Sequence, residues 1–230
     1  MASRASTRTK SRARKASGGV LTRTAVVWIS FIAASTLVGG MLLVVDGKPV
    51  PRLDGMSLSP LAAATTIGSD ADPMTRTRAP IDASKWQAIV IHHSASIVGS
   101  PTSIGKEHEA GGRDGLGHHF IIGNGTGMED GQVYIGYRWL DQQAGVHAAG
   151  PNAKFYNDHS VSICMVGDGD RRPFTPAQLA TLQKLVSSLG KQLGLTSDRV
   201  LLHSDIAPGV SDPGRLYPAG LYGVRPTRKP

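Results

Sequence analysis

Residues 25–45, AVVWISFIAASTLVGGMLLVV, run for 21 positions without one charged side chain. As an α-helix such a stretch rises about 31 Å, close to the ~30 Å thickness of a bilayer's hydrocarbon layer. A helix buried in a soluble core would carry a polar stripe, and this one offers only Ser30, Ser35 and Thr36. Ahead of it, residues 1–24 hold seven basic side chains (Arg4, Arg8, Lys10, Arg12, Arg14, Lys15, Arg23) and no acidic one. The charge bias predicts a transmembrane signal anchor over 25–45. The basic tail 1–24 is then cytoplasmic, and everything after Asp46 lies outside, in the periplasm or at the cell exterior. A cleaved signal peptide is the rival, with small residues at Ala62–Ala64. The apolar run exceeds the usual h-region of about 7–15 residues, which favours the anchor.

The formal charge of +8 belongs to that tail, because the rest of the chain has 18 basic residues against 17 acidic ones. The folded part therefore carries no polyanion footprint, and no nucleic-acid partner is expected. The single cysteine, Cys164, cannot form an intrachain disulfide, so stability must come from a core or a bound metal. Oligomeric state is left open.

From 46 to 85 the chain is rich in Pro, Ser, Thr, Ala and Gly without sustained periodicity, and reads as a flexible linker. Order is expected from Trp86, giving a domain over 86–230. WQAIVIHHS, HHFIIGN, QVYIG, SVSICMVGD and RVLLHSD have the length and β-branched content of strands. Ser100-Pro101 opens a short helix to about Ala110. Thr175-Pro176-Ala177-Gln178 is a capping box, followed by the apolar stripe Leu179, Leu182, Val186, Leu189 and Leu193. Strands interspersed with helices predict an α/β domain with a single mixed β-sheet flanked by helices.

All eight histidines lie after residue 90, and His92, His93, His118, His119 and His203 fall at strand ends. Successive strand side chains point to opposite faces, so one member of each His-His pair is expected to face a given pocket. No HExxH or paired CxxC is present. On spacing alone these histidines are packed side chains or ligands drawn from distant strand ends.

The segments IVIHHSAS, GLGHHFIIGNGTG, GVHA, YNDHSVSICMVGD, TPAQLATLQKLV and LLHSDIAPGVSDPG occur in the order found in the type 2 N-acetylmuramoyl-L-alanine amidase and peptidoglycan recognition protein superfamily. The chain resembles both its AmpD-like and its phage lysozyme-like branches. The resemblance runs from Trp86 to Tyr222. It implies a peptidoglycan recognition protein-like fold and one Zn2+ bound by His92, His203 and Asp212. The implied reaction is hydrolysis of the amide between N-acetylmuramic acid and L-alanine in peptidoglycan. His93 and Asp205 are read as supporting groups.

The chain departs from the family in its second catalytic group. Cys164 stands where AmpD-like members have glutamate, and Val210 and Ser211 stand near their lysine. His118 takes the place of the tyrosine of the phage and recognition-protein branches. His118 is therefore the candidate catalytic proton handler. Cys164, in an apolar strand, reads as inert packing. The resemblance assigns His147 to substrate contact or stabilisation of the tetrahedral intermediate, with a structural role as the alternative, while Asn157 and Asp158 shape the loop before a strand. His108 lines the groove or caps the core. The alternative to an enzyme is a non-catalytic module that binds peptidoglycan or muropeptides.

Overall fold

The computed structural model describes residues 22–45, 54–60, 72–218 and 220–223. The chain divides into two compact units, Met1–Val50 and Pro51–Pro230. In the first, α1 spans Arg23–Val45. Among the described residues no helix is long and apolar enough to cross a membrane. This corrects the expected transmembrane anchor over 25–45 and, with it, the membrane as a partner. The side chains of α1 are described only as far as Thr36. The basic tail through residue 21 and the side chains of 37–45 lie outside the described residues.

The second unit is built on a six-stranded mixed sheet. Its strands are β1 (Met56–Leu58), β2 (Ala88–His93), β3 (Phe120–Ile122), β4 (Val133–Ile135), β5 (Ser160–Met165) and β6 (Val200–Leu202). Their order across the sheet is β1-β4-β3-β5-β2-β6. β3, β5, β2 and β6 run parallel, while β4 is antiparallel to both β3 and β1. The helices are α2 (Pro101–Ala110), α3 (Tyr137–Leu140), α4 (Ala153–His159), α5 (Pro176–Leu193) and α6 (His203–Ile206).

α5 forms where the capping box predicts it. The Thr175 hydroxyl accepts from the Gln178 amide at 3.0 Å, and Gln178 Oε1 accepts from the Thr175 amide at 3.2 Å. Such a cap contributes about 1 kcal/mol. The helix ends at Gly194, whose φ of 68° is the left-handed geometry that glycine adopts without cost. Its apolar stripe packs with Ile89, Ile91, Phe120, Ile122, Val161, Ile163 and Met165 in the main core. The alternate residues point to the other face. There Ile121 and Cys164 join Ile104, Leu116 and Tyr134 in a smaller cluster beneath α2.

Part of the expected linker is built into this unit. β1 pairs with β4, and Met74, only 1% exposed, belongs to the main core. The Trp139 indole donates to the Thr75 carbonyl at 3.3 Å. Arg78 bridges Asp54 and Asp141. Order in this unit thus reaches well ahead of Trp86. Composition hid this, because the segment contributes single anchors rather than a periodic run.

Candidate functional site

Parallel pairing aligns the ends of β2 and β6, so His92 and His203 come together although 111 positions separate them. α6 begins at His203, with the Asp205 carboxylate accepting from the Leu202 amide at 2.7 Å. The following loop folds back and delivers Asp212. Asp212 Oδ2 lies 3.0 Å from His92 Nδ1 and 2.8 Å from His203 Nδ1. Its Oδ1 accepts from the His93 amide at 2.6 Å, and its backbone carbonyl accepts from Ser204 at 2.9 Å. One ligand atom from each of His92, His203 and Asp212 lies within 4.8 Å of the others, the group among the described residues whose donors could hold a metal ion.

The donor set suits a divalent cation. Two imidazoles and a carboxylate match a three-ligand zinc site that leaves one position open. A tetrahedron with such bond lengths has an edge of about 3.3 Å, so the three groups need only small movements to accept an ion. All three are largely shielded, with His92 2% and His203 8% exposed and the Asp212 side chain 12% exposed. His203 Nε2 is buried without a hydrogen-bond partner. Burial raises the Asp212 carboxyl, but the imidazoles of His92 and His203 pull it well below the usual carboxylate range. It is a carboxylate at any working pH.

The loop carrying Asp212 is clamped by its neighbour. Asp170 accepts from the Ser211 hydroxyl at 2.6 Å and from the Arg215 amide at 3.0 Å. A Cβ at Gly169 would stand 1.9 Å from the Pro213 carbonyl oxygen, so this close backbone crossing requires glycine. His93 points to this side of the sheet. Its Nδ1 accepts from the Gly169 amide at 3.0 Å, and its Nε2 stays 3.9 Å from Asp212. Alternation led one member of this pair to be expected at a given pocket, but both His92 and His93 line the cleft, His93 on the side of the Asp212 loop.

His118 and His119 lie just ahead of β3, which starts at Phe120, and of the two only His118 lines the cleft. Both rings lie 6.2 Å from the His147 ring. His118 is 5.0 Å from the His92 ring and lines the same cleft. Its Nδ1 is 2.5 Å from Ser162 Oγ, so one ring nitrogen is engaged by the sheet. Burial, reinforced by neighbouring imidazoles, pushes its pKa well down and keeps the ring neutral. His119 is held away from the cleft between the Ser162 amide, 3.0 Å from Nδ1, and the Gln143 carbonyl, 3.1 Å from Nε2.

His147 is 5% exposed and its Nδ1 lies 2.9 Å from His92 Nε2. Asn157 Oδ1 secures its loop by accepting from the amides of His147 and Ala148, both at 2.8 Å. His108 does both jobs that the sequence left open. It accepts from the Gly117 amide at 2.9 Å, and it lines the cleft. Cys164 is fully buried beside His92 in the sheet register, and burial pushes its thiol well up. A thiolate nucleophile does not form there.

The cleft holds about 290 Å³ and is also lined by Glu107, Arg113 and Val210. Sequence reasoning missed Glu107 and Arg113, whose helix and loop carry no site signature. It also missed Ser160 and Ser162, which reach His147 and His118. Their signal was present. In SVSIC the polar residues alternate with apolar ones in a strand buried on both faces, so one face of that strand had to carry hydrogen-bonding work.

A family model described as N-acetylmuramoyl-L-alanine amidase matches residues 82–215, more than half of the chain. The endolysin of Enterobacteria phage T3 is 34% identical over 131 residues, 53% of this chain and 77% of that protein. The endolysin of Escherichia phage T7 is 33% identical over 130 residues, 53% and 76% of the two chains. Among solved structures, the endolysin N-acetylmuramoyl-L-alanine amidase LysCS from Clostridium intestinale aligns with a TM-score of 0.49 at 25% identity. It covers 62% of this chain and 84% of its own. With its domain matched along nearly the whole sheet and both arms of the histidine–aspartate cluster inside the matched residues, this chain belongs to the N-acetylmuramoyl-L-alanine amidase family.

Proposed function

We propose that this chain hydrolyses the amide bond between N-acetylmuramic acid and L-alanine of peptidoglycan, using one Zn2+ held by His92, His203 and Asp212. The observation that carries this reading is the convergence of two imidazole nitrogens and one carboxylate oxygen on a shared point at the floor of a cleft. A zinc ion bound there supplies Lewis acidity and brings the pKa of a coordinated water towards ~7. The protein's own contribution is positional. Asp212 stays ionised, and the His93 amide and the Ser204 amide hold it in place.

His118 is the candidate proton carrier. With Nδ1 occupied by Ser162, Nε2 remains as the atom that takes a proton from the attacking water and returns it to the leaving amine. A neutral imidazole can accept that proton. Arg113 on the cleft rim supplies a cation for a carboxylate of the stem peptide. The workplace on this reading is the compartment that holds the wall.

A second reading, a module that binds muropeptides without cutting them, draws on one observation. The position of the AmpD-like glutamate is filled by Cys164, which is buried and cannot act as a base. Digestion of purified sacculi separates the two. The amidase reading predicts free stem peptides with L-alanine amino termini, detected by mass spectrometry, for the wild type and none for His203→Ala or after chelation. Binding without product from zinc-loaded wild type would favour the recognition module and defeat the hydrolase.

A further inference from the structure

His147 was expected to touch substrate, yet its imidazole is committed to the protein on both sides. Nδ1 lies 2.9 Å from His92 Nε2, and Nε2 lies 3.4 Å from Ser160 Oγ. Ser160 Oγ in turn lies 2.5 Å from the Tyr156 carbonyl oxygen. That carbonyl can only accept, so the single Ser160 hydroxyl proton goes to it. Ser160 Oγ then faces His147 as an acceptor and takes the Nε2 proton. A neutral imidazole carries one ring proton, so His147 Nδ1 is left as an acceptor and receives the proton on His92 Nε2. His92 is thereby left with a bare lone pair at Nδ1, aimed at Asp212 Oδ2 from 3.0 Å. Two acceptors face each other across that gap, an arrangement that a cation between them satisfies.

We infer that His147, backed by Ser160 and the Tyr156 carbonyl, is a positioning residue that sets the tautomer of His92 and presents its Nδ1 to the metal. The inference rests on the metal reading above, and it moves His147 from substrate contact to support of a ligand. Direction is transmitted from a fixed backbone carbonyl through three side chains, so no charge need be buried. α4 supplies the carbonyl and β5 supplies the serine, and these two elements meet at Ser160.

Titration of the full-length protein with Zn2+ against a chromophoric chelator tests this. His147→Leu, which removes the acceptor, should weaken zinc binding about 10–100-fold. His147→Asn, whose Oδ1 replaces the Nδ1 acceptor, should recover most of that loss, which a merely space-filling role would not produce. Should the leucine variant fold poorly, nitrogen-15 NMR of the zinc-free wild type reads the same point without mutation. Protonation of His92 at Nε2 and not at Nδ1 supports the inference. A His92 proton on Nδ1, or a leucine variant with wild-type zinc affinity, would overturn it while leaving the metal site standing. Wild type that takes up no Zn2+ would bring down the metal reading and this inference together.

Discussion

Acid should begin to destabilise this domain above the range where carboxylates ordinarily titrate, and His119 allows the size to be worked out. The ring is 0% exposed, with both nitrogens bonded to backbone groups. Burial, with a smaller push from Arg138 and Lys85, brings its pKa from 6.5 to about 3. Between those values the unfolded chain binds a proton that the folded chain refuses. Stability is therefore complete above about pH 6.5 and is lost as pH falls towards 3. At pH 5 the loss from this residue alone is about 2 kcal/mol. That corresponds to a fall of roughly 4–8 °C in melting temperature for a domain of this size. Urea unfolding of the metal-free protein at pH 7, 6 and 5 should show at least that decline, since His108 is also held down, to about 4. His119→Asn keeps an acceptor for the Ser162 amide and cannot titrate. Its stability should fall by about 2 kcal/mol less than wild type over the same range. A variant that loses stability with acid as steeply as wild type would refute the reasoning.

Three other perturbations probe the site. Gly169→Ala drives a methyl group into the Pro213 carbonyl. It should cost about 2–3 kcal/mol in thermal unfolding and weaken zinc uptake by displacing Asp212. His118→Ala should lower kcat on muropeptides about 10²–10⁴-fold while zinc content, measured by elemental analysis, stays at wild type. Cys164→Ala should keep turnover within a few-fold and cost about 1 kcal/mol in stability, read by product mass spectrometry and by denaturation. Loss of turnover with the fold intact would instead make the thiol a participant.

The sheet and α5 were legible because each leaves a local trace, whereas the set His92, His203 and Asp212 came from the family resemblance, spacing alone having left packed histidines as an alternative. Leu182, Val186, Leu189 and Leu193 mark one helix face, and the capping box at Thr175 marks its start. His92 and His203 end strands whose apolar runs are plain. What escaped was set by tertiary partners. Met74 and Arg78 anchor a stretch that looked like linker, because a few buried contacts suffice to order a chain without periodicity. The His118–His119 pair was read as strand, yet β3 starts only at Phe120, and His118 lines the cleft while His119 is held by Gln143 and Ser162. His147 itself gave no hint of direction. Its role depends on which way a proton points, and that is decided by the Tyr156 carbonyl, three hydrogen bonds away from the metal ligand's Nδ1. The uncharged run at 25–45 misled in another way. Hydropathy supplied a length and an orientation, yet among the described residues no helix meets the span requirement.

The central claim is that His92, His203 and Asp212 hold one zinc ion. Anomalous diffraction at the zinc edge, from crystals of the full chain grown with Zn2+, tests it most directly. The account predicts one strong peak at about 2.0–2.2 Å from His92 Nδ1, His203 Nδ1 and Asp212 Oδ2. The same data with those three side chains apart, or with no peak between them, would contradict it.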